Sequence, residues 1–168
     1  MAEKRKFMLT EVGEMAVQME LNGVDFYKKA ARTTKNNDTQ MMLVELAGME
    51  LAHANSWRAV VKQAAEAAPA TVDPEVADLF HAWLDTEVFA HHGEEMARIA
   101  ESGNLADVCR KAIQVEKETV SFYTGIRDVV TDEHIREMLD QIVHEELQHV
   151  VKLSKALRSL TYPFEIEE

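Results

Sequence analysis

The chain carries the same short motif twice: residues 50–53 read ELAH and residues 146–149 read ELQH. Each motif places a histidine three residues after a glutamate, and the two motifs stand 96 positions apart. The same shift aligns Glu20 with Glu116 without a gap, and a Phe-Tyr pair follows each of these glutamates six residues later. Because the matches fall on residues that carry chemistry, we infer an internal repeat whose two halves fold alike.

Helices are predicted along the whole chain, because every long segment spaces its apolar residues with helical period and none alternates as a strand does. The second helix is expected to open with a capping box of Asn37 and Gln40. The fourth is expected to open at Asn104 after a stop at Gly103, and the fifth at Thr131. The predicted units are a helical hairpin over 10–68, a connecting helix over 73–102 and a second hairpin over 104–160.

Two hairpins of this length bury their apolar stripes most simply against each other, as an antiparallel four-helix bundle. The connecting helix would span roughly 43 Å at 1.5 Å per residue, which is about the length of such a bundle. We therefore predict an all-α, ferritin-like four-helix bundle with a long helical crossover between the second and third bundle helices. Residues 1–168 are expected to form a single domain.

Composition excludes several classes of protein. The 168 residues carry a formal charge of −12, so a cationic nucleic-acid surface is not expected. No apolar run approaches the roughly 18 residues of a membrane span, and no signal-peptide pattern is present, so we expect a cytoplasmic protein without membrane contact. The single cysteine, Cys109, excludes disulfides and Cys-based metal sites, which need paired cysteines, and is expected to be a buried, inert thiol.

Each bundle helix places one glutamate inside its apolar stripe, at heptad-like core spacing. The predicted stripes are Ala16, Glu20, Val24 and Tyr27; Leu43, Leu46, Glu50, His53, Trp57 and Val60; Ile113, Glu116, Val120 and Tyr123; and Leu139, Ile142, Glu146, His149, Leu153 and Ala156. If the four stripes meet, four carboxylates and two imidazoles share one interior layer of the bundle.

Such a layer needs a counter-charge, because buried carboxylates repel one another and are costly to desolvate. Two divalent cations balance four carboxylates and leave both histidines neutral, as in di-iron and di-manganese carboxylate bundles. Ligands without thiolate favour iron or manganese, with zinc as a substitute. Repulsion also predicts that the metal-free fold tolerates alanine at Glu50 or Glu146. The predicted metal ligands are Glu20, Glu50, His53, Glu116, Glu146 and His149.

Each of these residue patterns also has a purely structural interpretation. A single Glu-x-x-His on a helix is usually a pair of solvent-exposed residues without a functional role. A ligand role is favoured here because the motif occurs twice, each time at the same distance from the preceding glutamate of a stripe. Tyr27 and Tyr123 either hydrogen-bond to the ligand carboxylates or donate protons and electrons, or they are core aromatics whose hydroxyls have simply found a partner. On the connecting helix, a solvated charged face is favoured over a second metal site for the group Glu87, His91, His92 and Glu95.

At these residues the sequence resembles the rubrerythrin family of the ferritin-like superfamily. The resemblance implies that the six residues above share two metal ions, with Glu50 and Glu146 bridging them. The chain departs from the family in lacking the paired cysteines of a rubredoxin-like domain. Thr119 also stands where the family commonly has an extra glutamate, and Thr119 and its counterpart Gly23 are both small enough to leave room for a diatomic or peroxide ligand.

The resemblance implies a non-haem di-iron oxidoreductase that reduces hydrogen peroxide, with oxygen as the other small substrate, using electrons from a separate donor protein. The alternative is a non-catalytic iron or metal-binding protein that serves storage, handling or sensing. An oxygen-activating hydroxylase would need a substrate cavity, to which the sequence does not point. We also expect a homodimer, whose hairpins either remain within one chain or exchange between chains.

Overall fold

The computed structural model describes residues 9–66 and 88–162, without the side chains of residues 88–92. These residues form an all-α fold with no strand among them, as the sequence predicts. The part of residues 73–102 that precedes Val88 lies outside the described residues, as do the side chains of Glu87, His91 and His92. The helices are α1 (Leu9–Thr33), α2 (Asn37–Glu66), α3 (Val88–Glu101), α4 (Leu105–Val129) and α5 (Glu133–Thr161).

The helices pack as two antiparallel pairs, α1 with α2 and α4 with α5. Each pair is joined by three residues, 34–36 and 130–132, and such short links hold consecutive helices side by side. Helix α3 packs along α1 and also contacts α4. On the other side of the bundle α2 contacts α5, where Lys152 Nζ lies 2.6 Å from Glu45 Oε1.

The hydrophobic core is divided into two clusters. One lies toward the α2 C-terminus and is centred on Trp57, Phe122 and Leu139. The other lies toward the opposite end and includes Leu43 and Leu153. The four glutamates of the apolar stripes stand between the two clusters along their helices, so the polar layer is enclosed by apolar packing above and below. Among the described residues, no helix combines the length and hydropathy that a membrane span requires.

Three helix ends test the predicted capping. Asn104 caps α4 as predicted, and Gly103 adopts a φ of 71°, which glycine reaches without strain. The predicted cap at Thr131 is wrong, because the Asp132 carboxylate caps α5 by accepting the Ile135 N–H at 3.1 Å. Aspartate is the stronger N-cap of the two neighbouring residues.

The predicted capping box at Asn37 is also wrong. Asn36 Oδ1 accepts the Thr39 N–H at 2.8 Å, so the cap lies one residue earlier than predicted. The Gln40 side chain donates instead to the Ala31 carbonyl at 2.9 Å and so ties the start of α2 to the end of α1. This contact between two helices is not encoded in the local pattern from which a capping box is predicted.

Replacing Asn36 by alanine should therefore lower the free energy of unfolding by about 1 kcal/mol, since one N–H of the first turn of α2 loses its acceptor. The neighbouring Asn37 is exposed and is the matched control. Chemical denaturation of the two alanine variants compares the positions directly. A larger loss for Asn37→Ala than for Asn36→Ala would contradict the observed cap.

The predicted stripes on α1 and α2 are buried throughout, and that on α5 is buried except at Ala156. On α4 the prediction is partly wrong, because Ile113 and Val120 are only half-buried while Ala112 and Thr119 are buried. The reason is that α3 covers a second side of α4, where Cys109 packs in the same cluster as Met96 and Ala100 of α3. The buried Cys109 is as predicted, and burial raises its thiol pKa to about 11.

Candidate metal centre

The structure brings all six predicted ligands together in the middle of the bundle. One carboxylate arrives from each of α1, α2, α4 and α5, and the histidines of α2 and α5 lie one turn beyond theirs. All six side chains are buried, and Glu146 and His149 have no exposed surface at all. Helical spacing of three residues puts glutamate and histidine on one face, which explains why each motif delivers both groups to the same point.

The six side chains form two overlapping sets of potential ligand atoms, and within each set the atoms lie no more than 4.8 Å apart. We call these sets the His53 position and the His149 position. Two adjacent ions sharing a pair of carboxylates is the arrangement that the resemblance implies, and Glu50 and Glu146 are the two residues common to both sets. The His53 position comprises Glu20, Glu50, His53 and Glu146, and the His149 position comprises Glu50, Glu116, Glu146 and His149.

Glu146 lies between the two imidazole rings. Its Oε1 is 3.0 Å from His53 Nδ1 and its Oε2 is 2.7 Å from His149 Nδ1. Glu50 Oε1 lies 3.2 Å from His149 Nδ1. On the first side, Glu20 Oε2 lies 3.7 Å from His53 Nδ1. Both histidines therefore turn Nδ1 toward the carboxylates, and the rings stack at a centroid distance of 5.9 Å.

Several of these atoms are buried without a hydrogen bond: Glu50 Oε1, both carboxylate oxygens of Glu146, and Nδ1 of His53 and of His149. An unpaired buried polar atom costs about 1–3 kcal/mol, and here several converge on one region. All of them can donate a lone pair, which is what a cation requires. The residues therefore fit a pair of divalent ions of the iron, manganese or zinc class.

Without metal, the charges in the layer are balanced by protons. Burial alone raises the pKa of Glu146, but the close approach of His149 and His53 outweighs it and lowers the pKa to about 2. Burial lowers the pKa of each histidine, but the carboxylates around them outweigh it, so the pKa rises to about 11 for His53 and about 9 for His149. Glu146 is thus the ionised partner of two imidazolium rings in the metal-free protein.

Two other carboxyls of the site have raised pKa values, in contrast to Glu146. Burial, and then the charge of Glu146, raise the pKa of Glu116 to about 8. Burial followed by repulsion from Glu116 and Glu146 raises the pKa of Glu50 well above its usual range. At pH 7 Glu116 and both imidazoles hold protons that metal ions would displace, and the raised pKa of Glu50 acts in the same direction.

Tyr27 and Tyr123 each hydrogen-bond to a site carboxylate of the opposite repeat. The Tyr27 hydroxyl donates to Glu116 Oε1, and the Tyr123 hydroxyl donates to Glu20 Oε1. Burial, followed by the charge of that carboxylate, raises the pKa of each phenol well above its usual range, so both remain neutral donors. The structure identifies the partner of each hydroxyl as a carboxylate of the site, and a role of the tyrosines in the chemistry stays a prediction.

Sequence reasoning missed two residues that touch the outer nitrogens of the histidines. Glu145 Oε2 lies 2.8 Å from His53 Nε2, and Met49 Sδ lies 3.3 Å from His149 Nε2. Each immediately precedes the glutamate of a motif, so they correspond under the same shift of 96 residues. That correspondence was the available signal, although it does not reveal that each contacts the histidine of the other repeat.

A small cavity of about 20 Å³ lies beside the cluster, between α1, α3 and α4. Its lining includes Gly23, Glu50, Met96 and Thr119. A Cβ on Gly23 would lie 3.2 Å from Glu50 Cγ and 3.3 Å from Glu50 Oε2, so a larger residue would push on that carboxylate. The volume suffices for about one water-sized molecule.

Fold and site together place this chain among the ferritin-like four-helix bundles, as predicted. A crystal structure of a candidate ferritin-like diiron-carboxylate protein from Thermotoga maritima matches it with a TM-score of 0.68, over 93% of this chain and 98% of that one. Sequence identity is 21%, so the likeness establishes the fold. No family model matches the chain, and no curated protein matches its sequence. Membership of the rubrerythrin family stays a prediction.

Proposed function

We propose that this protein is a di-iron carboxylate oxidoreductase that reduces hydrogen peroxide with electrons from a separate donor protein. The observation that carries the proposal is the convergence of unpaired, buried ligand atoms in two overlapping sets. Two bound ferrous ions would supply the two electrons that peroxide reduction consumes and would polarise the O–O bond. Two protons are also consumed, and the products are two molecules of water.

The protein side chains would hold the two ions, fix the ligand carboxylates and keep bulk water out of the site. Glu50 and Glu146, shared by both positions, would hold the two ions close enough to act on one small molecule. The hydrogen bonds from Tyr27 and Tyr123 fix Glu116 and Glu20, the two carboxylates that each belong to one position only. The apolar clusters above and below exclude bulk water from the layer.

The size of the adjacent cavity favours a small oxidant over an organic substrate. In the described part of the chain, the space that reaches the cluster past Gly23 and Thr119 holds about 20 Å³. A hydroxylase would need room for a carbon skeleton beside the ions. We therefore favour peroxide, with oxygen as its competitor, over the hydroxylase interpretation.

Electron delivery is proposed to come from outside the chain. The sequence has one cysteine, and Cys109 is buried with a raised thiol pKa, so this chain carries no rubredoxin-type iron. A donor would have to approach the bundle surface. The homodimer and the exchange of hairpins between chains stay predictions.

Rapid mixing tests the proposed reaction. Iron-loaded, reduced protein is mixed with hydrogen peroxide in one syringe series and with oxygen in another, and oxidation is followed by absorbance. We expect peroxide to oxidise the protein at least 10-fold faster than oxygen at equal concentration. Equal rates, or faster oxidation by oxygen, would contradict peroxide reduction and leave the metal site itself standing.

The second candidate is iron storage, handling or sensing without turnover. It is favoured by Thr119, which lines the cavity at the position where the resemblance leads one to expect a further carboxylate. With a reducing donor in excess, an enzyme consumes peroxide steadily, whereas a storage protein stops after one stoichiometric burst. Measuring peroxide consumption over many equivalents separates the two functions.

A further inference from the structure

The two halves of the metal centre have the same predicted ligands, but different residues contact the outer nitrogens of their histidines. The shift of 96 residues maps every predicted ligand of one repeat onto the other. It also maps Met49 onto Glu145, and these two side chains differ completely in chemistry. The His53 ring contacts a carboxylate at its outer nitrogen, whereas the His149 ring contacts a thioether.

This difference acts on the strength of each histidine as a ligand. Both rings point Nδ1 toward the cluster, so each Nε2 carries a hydrogen and faces outward. A carboxylate that accepts this hydrogen raises the electron density of the imidazole and strengthens its bond to a metal. A thioether sulfur is a weak acceptor, so it neither raises the electron density of the imidazole much nor strengthens its bond to a metal much.

The Glu145 carboxylate is held in place from two sides. Its Oε2 lies 2.8 Å from His53 Nε2, and its Oε1 accepts the Gln141 side-chain N–H at 3.3 Å, one turn earlier on α5. The side chain is 31% exposed, so solvent moderates its charge without removing the contact. Met49 is a half-buried residue of α2, and its sulfur contacts the His149 ring.

We propose that Glu145 and Met49 are positioning residues that make the two metal positions unequal. The His53 position, supported by Glu145, binds a divalent ion more tightly and fills first. The His149 position, backed by Met49, fills second and releases its ion more readily. This inference rests on the proposed function, since it requires that the cluster bind two ions.

Titration of the metal-free protein with Co²⁺ at one fixed pH tests this. Calorimetry gives the two affinities, and the visible absorption of Co²⁺ reports the coordination at each step. We expect the wild-type protein to bind two ions in steps separated by at least 10-fold. Glu145→Met should weaken the tighter step by about 10-fold to 100-fold and bring the two affinities together.

Three further variants refine the test. Met49→Glu should strengthen the weaker step, and Glu145→Gln, which keeps an acceptor but loses the charge, should fall between wild type and Glu145→Met. The control is Glu45→Gln, since Glu45 is an exposed glutamate that is paired with Lys152. Circular dichroism of each metal-free variant should show the helix content of wild type, which separates an effect on metal affinity from a loss of the fold.

The inference fails if wild-type protein binds two ions with equal affinity, or if Glu145→Met leaves both affinities unchanged. In either case two ions still bind, and the proposed function stands. If wild-type protein binds no Co²⁺, both the proposed function and this inference are contradicted.

Discussion

Alanine at Glu146 should abolish binding of both metal ions and lower the free energy of unfolding of the metal-free protein by about 3 kcal/mol at pH 7. Glu146 lies between the two histidines and is ionised when metal is absent. Its removal leaves two buried imidazolium rings without their shared counter-charge. Loss of a ligand common to both positions should cost more than the 10-fold to 100-fold typical of an outer contact.

Glu50 is the matched comparison, because it is shared by both positions yet its pKa is shifted in the opposite direction from that of Glu146. Its pKa is raised by burial and by repulsion from its neighbours, so its removal relieves an unfavourable interaction in the metal-free protein. Glu50→Ala should therefore remove both ions as Glu146→Ala does, while costing the metal-free fold far less. Repulsion alone predicts that both variants are tolerated, and the structure revises this for Glu146.

Metal analysis after loading, together with chemical denaturation of the metal-free variants, separates these outcomes. Equal loss of stability in the two variants would contradict the assignment of Glu146 as the ionised partner of the histidines. Retention of two ions per chain in either variant would contradict the sharing of that carboxylate.

The stability of the metal-free protein should fall as the pH rises from 6 to 9. The folded-state pKa values of His53, His149 and Glu116 are raised to about 11, 9 and 8. A raised folded pKa means that the folded chain holds protons the unfolded chain has released. The stabilisation is complete below the unfolded values, 6.5 for histidine and 4.5 for glutamate, and is lost as the pH rises through the folded values.

The size of the effect follows from the number of protons. Each extra proton held by the folded state costs about 1.4 kcal/mol of stability per pH unit in this range. Glu146 makes no contribution there, because its lowered pKa adds stability that is lost only as the pH falls below 4.5 toward about 2. The metal-loaded protein should show the reverse trend, since metal ions compete better as protons leave.

Thermal unfolding of metal-free and metal-loaded protein at pH 6, 7.5 and 9 measures both trends. Calorimetric metal binding in buffers of different ionisation enthalpy should also detect proton release at pH 7. A metal-free melting temperature that is constant or rises between pH 6 and 9 would contradict this account of the charge balance.

Much of the site follows from local spacing. The positions of Glu20 and Glu116 within apolar stripes, and the repeated Glu-x-x-His, fix which helix face each group occupies once the segments are helical. Four such faces have few ways to meet, so the bundle and its polar layer could be predicted. The stripe on α4 was partly misplaced because the side covered by α3 depends on tertiary packing, which moved Ile113 and Val120 toward the surface.

Side-chain contacts between helices could not be predicted from the spacing of residues along the chain. Nothing in the spacing shows that Tyr27 hydrogen-bonds across to Glu116, or that Glu145 reaches His53, because these depend on the separation and rotation of neighbouring helices. The helix caps at Asn36 and Asp132 were displaced by one residue for a different reason. Adjacent polar residues can each act as a cap, and the local pattern does not decide between them.

The crosswise contacts of the two repeats have a consequence for how their outer residues can vary. An assembly of two identical, unlinked hairpins would obey exact twofold symmetry, and any residue behind one imidazole would appear behind the other. Joining both hairpins in one polypeptide removes that constraint. Methionine at 49 and glutamate at 145 are a difference that two identical hairpins could not encode.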